Sequence, residues 1–159
     1  MDFAAFDVAE KKGTLLEEAR KSFVANLLIP KEEDALVRGD KVLAFLDTDL
    51  AKRMAKAERE GVLYKEQPFV LGLPADRVNG AFPADETVLI QGVIDGYFVE
   101  EGEIVVLDYK TDAVKEAEEL VLRYKTQMDY YGEALERLEK KKVKEKLIYS
   151  FALHKIISL

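Results

Sequence analysis

Residues 88–110 read VLIQGVIDGYFVEEGEIVVLDYK, and this stretch decides the fold. Two apolar runs, 88–99 and 103–110, flank Glu101-Gly102, and each contains charge where a core strand should have none. Ile104-Val105-Val106-Leu107 has the β-branched, apolar composition of a strand buried on both faces, yet it runs directly into Asp108-Tyr109-Lys110. Side chains alternate along a strand, so Asp108 and Lys110 share a face and Tyr109 points away. A two-residue hairpin turn at Glu101-Gly102 sets Glu100 against Glu103 and, further along, Asp95 against Asp108. A three-residue turn with Gly102 as a bulge shifts the register by one and sends Asp95 to the other face. The two-residue register is the expectation. A buried, unpaired carboxylate costs roughly several kcal/mol, so two acids converging with a lysine call for a counter-charge, and a divalent cation supplies one. The competing reading is a surface hairpin with a cross-strand ion pair, which the apolar flanks disfavour.

Composition narrows the chemistry. With 159 residues, 48% hydrophobic and 35% charged, the chain suits one core and one domain. It has no cysteine, which excludes disulfides, thiolate zinc sites, iron-sulfur clusters and cysteine nucleophiles. A metal must then be held by oxygen ligands or by the single histidine, His154, and oxygen-rich sites favour hard cations such as Mg²⁺ or Mn²⁺. No apolar run approaches the ~20 residues of a membrane span, and no basic-then-apolar leader opens the chain, so a cytoplasmic location is expected. The net charge of −7 has the wrong sign for a free-standing nucleic-acid binder. Bound cations, or a basic surface on a larger assembly, would have to offset it.

Outward from the hairpin, helices precede and a long helix follows. Residues 7–28 approximate a helix that Gly13-Thr14 interrupts or starts and Pro30 ends; residues 33–37 suit a short helix. Residues 40–59 place Val42, Leu43, Leu46, Leu50, Met54 and Ala57 on one stripe, with Gly61 as the stop. Residues 62–73 read as a strand in which Pro68 marks an edge or bulge, and residues 77–86 as a loop. Residues 113–140 repeat apolar residues at helical spacing through Val121, Tyr124, Met128, Tyr131 and Leu135, with Asp112 as the expected cap. Residues 139–146 are a charged turn, and residues 146–159 return to strand character. The fold class is α/β: a mixed sheet flanked by helices, with a helical part over residues 1–60 and the sheet, hairpin and following helix over 61–159.

Several motifs now stand in order: Gln91-Gly92-Val93-Ile94-Asp95-Gly96, then Val106-Leu107-Asp108-Tyr109-Lys110-Thr111, then Tyr124 with Gln127 and Tyr131. Together they resemble the RecB-type branch of the PD-(D/E)xK nucleases. Lys65-Glu66-Gln67-Pro68-Phe69 and Ile148-Tyr149-Ser150-Phe151-Ala152-Leu153 extend the likeness to the C-terminal nuclease domains of AddA-type helicase-nuclease subunits, over residues 46–159. The resemblance implies a restriction-endonuclease-like core acting as a DNA exonuclease with Mg²⁺ or Mn²⁺ in double-strand-break repair and recombination. It implies that Asp95, Asp108 and the Tyr109 carbonyl ligate the metal, that Lys110 orients water or stabilises phosphate charge, and that Gln127 and Tyr131 position these groups. It also implies an AddB-type partner subunit and a helicase part.

This chain departs from the family pattern at one point. Where the family carries Gly-Thr-x-x-His, the sequence has Gly13-Thr14-Leu15-Leu16-Glu17, so Glu17 stands in the place of the histidine ligand. Glutamate is a competent hard-metal ligand, so Glu17 is the candidate third one; the alternative is a coincidental match that leaves the metal site incomplete or altered. No Gly-rich phosphate loop ending in Lys-Ser/Thr occurs, so the helicase motor is not expected in these residues. Two other readings stay open: a nuclease-like fold serving only as a structural or DNA-binding module, and a stand-alone RecB-like exonuclease. Glu66 reaches the site or lies exposed at an edge, and His154 is expected to be structural.

Overall fold

A computed structural model describes residues 1–28, 30, 32–34 and 38–159, in which a five-stranded mixed sheet is covered by helices on both faces. The chain runs α1 (Phe3–Val8), α2 (Lys12–Ala25), α3 (Gly39–Leu46), α4 (Asp49–Arg59), β1 (Leu63–Pro74), α5 (Ala75–Val78), β2 (Thr87–Glu100), β3 (Glu103–Lys110), α6 (Ala117–Glu139), β4 (Val143–Ser150) and β5 (Lys155–Ser158). The sheet order follows the sequence, β1-β2-β3-β4-β5. Every neighbouring pair is antiparallel except β3 and β4, which α6 joins as a parallel crossover. Of the short helix expected over 33–37, residues 35–37 lie outside the described residues. No described helix is long and apolar enough to cross a membrane.

The central strand behaves as its composition requires. Ile104 to Leu107 are all buried, and the strand divides its side chains between two cores. Val105 and Leu107 join Phe45, Leu50, Met54 and Tyr149 on the α1–α4 side, while Ile104 and Val106 join Leu120, Met128, Tyr131 and Leu135 of α6 on the other. Asp108 and Lys110 therefore fall on the α6 side by alternation. The hairpin has the two-residue register: the ladder runs from Glu100↔Glu103 to Gly96↔Leu107, where it ends, and the same register sets Asp95 opposite Asp108. Glu101 and Gly102 both take positive φ (56° and 85°), as a primed turn matching the strand twist requires.

Three differences from the sequence reading have local causes. The stretch 40–59 is two helices because the Thr48 hydroxyl donates to the Phe45 carbonyl at 2.7 Å and accepts from the Ala51 N–H at 3.2 Å, ending α3 and capping α4. The long helix starts at Ala117, not at 113, because Glu116 and Glu119 form a reciprocal capping box; Asp112 is engaged elsewhere. The C-terminal stretch is a hairpin of β4 and β5 turning through His154, which is exposed with φ 51°.

One irregularity shapes the site. β1 and β2 pair continuously from Leu63↔Phe98 to Pro74↔Thr87, except that Glu66 and Asp95 drop out of the ladder opposite each other, with Glu66 at φ 52°. The alternation slips there. Tyr64 and Tyr97 face α6 before the kink, yet so do Phe69 and Ile94 beyond it. Both strands change phase at the position that carries the first acid, as a local break in the pleat allows.

Candidate active site

Asp108 is 2% exposed, near the carboxyl end of the most buried strand. Its Oδ1 accepts from Gln127 Nε2 at 3.3 Å, and Lys110 Nζ stands 2.6 Å from its Oδ2. That ion pair is the sole partner of the buried Oδ2 among the described residues. Burial raises the Asp108 pKa above its ordinary value; Lys110 opposes this, and the like charge of Asp95 adds to it. A carboxylate in this state gains from any further positive charge.

Asp95 comes to Asp108 through the hairpin register and the kink. Its Oδ2 accepts from the Tyr109 backbone N–H at 2.8 Å, which fixes the carboxylate across the strand end. Its Oδ1 accepts no hydrogen bond among the described residues. The Tyr109 side chain lies on the opposite face, edge-on to Phe45 at 5.3 Å, so only its backbone serves the acid cluster. Burial also raises the Tyr109 phenol pKa and keeps it neutral.

α6 supplies the ceiling. Gln127 and Tyr131, one helical turn apart, share a face. Gln127 Nε2 donates to Tyr131 Oη at 2.6 Å as well as to Asp108, and Tyr131 Oη donates onward to the Val93 carbonyl at 3.0 Å. The chain Asp108–Gln127–Tyr131–Val93 thus ties the β3 acid to β2 just ahead of the kink. Burial raises the Tyr131 pKa, which holds the phenol in the protonated form that can donate. Tyr124, one turn earlier, receives Lys110 over its ring, Nζ to centroid 4.0 Å, and donates its own hydroxyl to Asp112 at 2.9 and 3.0 Å. Arg123 closes on Asp112 from the other side at 2.5 Å. The roles of Tyr124 and Asp112 in holding Lys110 are absent from the sequence reading. The signal was the position of Tyr124, three residues before Gln127 on the same helix.

The structure brings Asp95, Asp108, the Tyr109 backbone, Lys110, Gln127 and Tyr131 together, and it does not bring Glu17. Glu17 lies on α2, its carboxylate 55% exposed and paired with Arg20 at 2.7 Å, while its neighbour Leu16 is buried in the α1–α4 core across the sheet from Asp108. Among the described residues no third acidic or histidine side chain completes a metal-binding group. Glu66 and His154 are both exposed and outside the cluster.

The donor set suits a hard divalent cation on its own chemistry. Two carboxylates converge: Asp95 Oδ1 accepts no hydrogen bond among the described residues, and the buried Asp108 Oδ2 has Lys110 as its one partner. All candidate ligands are oxygens, as such cations require.

The profile of the PD-(D/E)XK nuclease superfamily matches residues 5–156. The chain is similar to bacterial proteins named as one subunit of an ATP-dependent helicase/nuclease: 36% identical to that of Lachnoclostridium phytofermentans, 39% to that of Clostridium novyi and 36% to that of Clostridium botulinum strain 657. These matches cover 87%, 82% and 95% of this chain but only 13%, 11% and 12% of the relatives.

Proposed function

The chain belongs to the PD-(D/E)XK nuclease superfamily, and from that membership we propose that it is the metal-dependent DNA exonuclease domain of an AddA-type helicase-nuclease. The observation that carries this reading is the buried Asp108 carboxylate, reached by Asp95 through the shared Tyr109 strand end and by Lys110 at 2.6 Å. Asp95, Asp108 and the Tyr109 carbonyl would hold Mg²⁺ or Mn²⁺. The cation, when bound, would lower the pKa of water and shield the scissile phosphate.

The chain's own residues do the rest. Lys110, steadied over Tyr124, places a fixed positive charge where negative charge develops on the phosphate, the largest single contribution expected in such a site. Gln127 holds the Asp108 carboxylate in one orientation, and Tyr131 locks Gln127 and the β2 backbone to each other. Water oxygen bonds to phosphorus as the ester P–O bond breaks, leaving a phosphate monoester and a free hydroxyl end.

Residues 1–159 are read as a single nuclease domain, in which 1–60 form the helical part. The relatives are about eight times longer, so the helicase motor, an AddB-type partner, the role in double-strand-break repair and a cytoplasmic setting are proposed for the longer assembly. The acidic net charge of −7 supports delivery of DNA by such an assembly.

Incubation of the purified chain with linear DNA and Mg²⁺ or Mn²⁺, beside Asp108→Ala, tests the reading. Metal-dependent release of nucleotides by the parent chain and none by the variant is expected. A folded chain that cleaves nothing at any metal concentration and binds no metal by calorimetry contradicts it.

A further inference from the structure

Between the β1–β2 ribbon and α6 lies a cleft of about 340 Å³, lined by Phe69, Ile90, Gly92 and Tyr130, with Gln127 and Tyr131 as the wall it shares with the acid cluster. We propose that this cleft is a subsite for one nucleobase of the DNA strand whose phosphate reaches Asp108 and Lys110. The inference rests on the nuclease reading above.

The lining decides the class of occupant. Among the described residues no charged side chain borders the cleft, although 35% of the chain is charged, so it is not built for phosphate. It offers aromatic rings and amides, which is what the neutral, planar part of a nucleotide requires. Its volume sits at the low end of small-molecule sites, room for one base but not for a duplex.

The walls are fixed in advance. A Cβ on Gly92 would lie 3.1 Å from Phe69 Cε1, so glycine is what lets the Phe69 ring settle onto the β2 backbone. The same ring packs edge-on to Tyr131, centroids 5.4 Å apart at 78°. Tyr130 is half-buried and lines the cleft beside Tyr131. Gln127 connects the two sites: its Nε2 is committed to Asp108 and Tyr131, while its Oε1 has no partner among the described residues and remains an acceptor for a base edge. A base held here is continuous with a phosphate at Asp108. Stacking tolerates every base, and a base enters only when unpaired. The subsite therefore selects single-stranded or frayed DNA without reading sequence.

The test uses single-stranded oligodeoxynucleotides with Mn²⁺ and the parent chain, Tyr130→Ala, Tyr130→Phe and Gly92→Ala. Tyr130→Ala is expected to raise KM about tenfold with kcat within about twofold, and Tyr130→Phe to restore it. Gly92→Ala, which adds a methyl to the cleft wall and displaces the Phe69 ring from its present seat, is expected to raise KM similarly. An abasic residue moved along the substrate should reproduce the loss at one position in the parent chain and add nothing in Tyr130→Ala. Unchanged KM in both Tyr130→Ala and Gly92→Ala, or an abasic penalty equal in parent and Tyr130→Ala, overturns the proposal while leaving the nuclease reading intact. In the Asp108→Asn background, quenching of 2-aminopurine placed at that position reports the subsite without turnover. Tyr130-dependent quenching together with a parent chain that cleaves nothing supports the subsite and removes the nuclease reading; quenching indifferent to Tyr130→Ala removes the subsite.

Discussion

At the residue scale, the site turns on Asp108, a carboxylate that its surroundings hold at a disadvantage. Because burial raises its folded pKa, ionised Asp108 lowers stability; the deficit is fully present above that raised value and gone below the ordinary 3.8. Asp108→Asn, which can keep the bond from Gln127, is therefore expected to stabilise the metal-free chain at neutral pH. A gain of about 1 kcal/mol is expected, the low end of what an imperfectly satisfied buried polar atom costs. Urea unfolding in the presence of a chelator should show the gain at pH 7 and its disappearance below pH 3.8. Lys110→Ala should slow cleavage by about 100-fold or more while leaving metal affinity undiminished, since it removes a charge that competes for Asp108 Oδ2. Single-turnover rates and a metal titration on the same variant separate the two effects. The sequence made Asp95, Asp108 and Lys110 legible because acids inside a β-branched strand violate the pattern around them. It did not reveal that Tyr124 and Asp112 hold Lys110, since a tyrosine on an apolar helical stripe and an acid before a helix both satisfy simpler roles.

At the scale of elements, the kink in β1 and β2 does the positioning. The hairpin register was readable from Glu101-Gly102, whose turn chemistry fixes which residues face each other. The phase change at Glu66 and Asp95 was not readable. Alternation is a local signal, and here a break stabilised by contacts from α6 overrides it. Tyr131→Phe removes the hydrogen bond to the Val93 carbonyl and frees one donor of Gln127. A loss of about 1 kcal/mol in unfolding free energy is expected, with a larger fall in kcat than in metal affinity. At the far end of the sheet, Arg53 of α4 joins Glu100 of β2 and Glu145 of β4 at 2.7 Å each. Arg53, then Lys144, hold the Glu100 pKa down to about 2. A depressed folded pKa contributes stability that is complete above the ordinary 4.5 and lost as pH falls toward about 2. Glu100→Gln should cost roughly 1 kcal/mol at pH 7, discounted for partial exposure, and this cost should shrink between pH 4.5 and about 2. Its cleavage rate should match the parent's, because the network lies away from the acids.

For the whole molecule, the fold class followed from pattern: helices, three strands, a long amphipathic helix and returning strand character. Helix boundaries followed less well. The break at Thr48 and the start at Ala117 depend on caps, which one hydroxyl or one Glu-x-x-Glu pair sets against an otherwise continuous apolar stripe. Glu17 shows a different limit. A motif match placed it among the ligands, whereas the fold pairs it with Arg20 on the other side of the sheet. The proposed ligand set is thus two carboxylates and a backbone carbonyl, in a chain of net charge −7. Asp95 and Asp108 are therefore expected to hold the cation without Glu17, and everything proposed for the site depends on their doing so. Calorimetric titration of Mn²⁺ into the parent chain, Asp95→Ala, Asp108→Ala and Glu17→Ala tests this most directly. Binding weakened at least about 100-fold in both aspartate variants, more than outer-shell partners typically cost, and unchanged in Glu17→Ala is the predicted result. Binding that survives Asp108→Ala, or that is lost in Glu17→Ala, contradicts it.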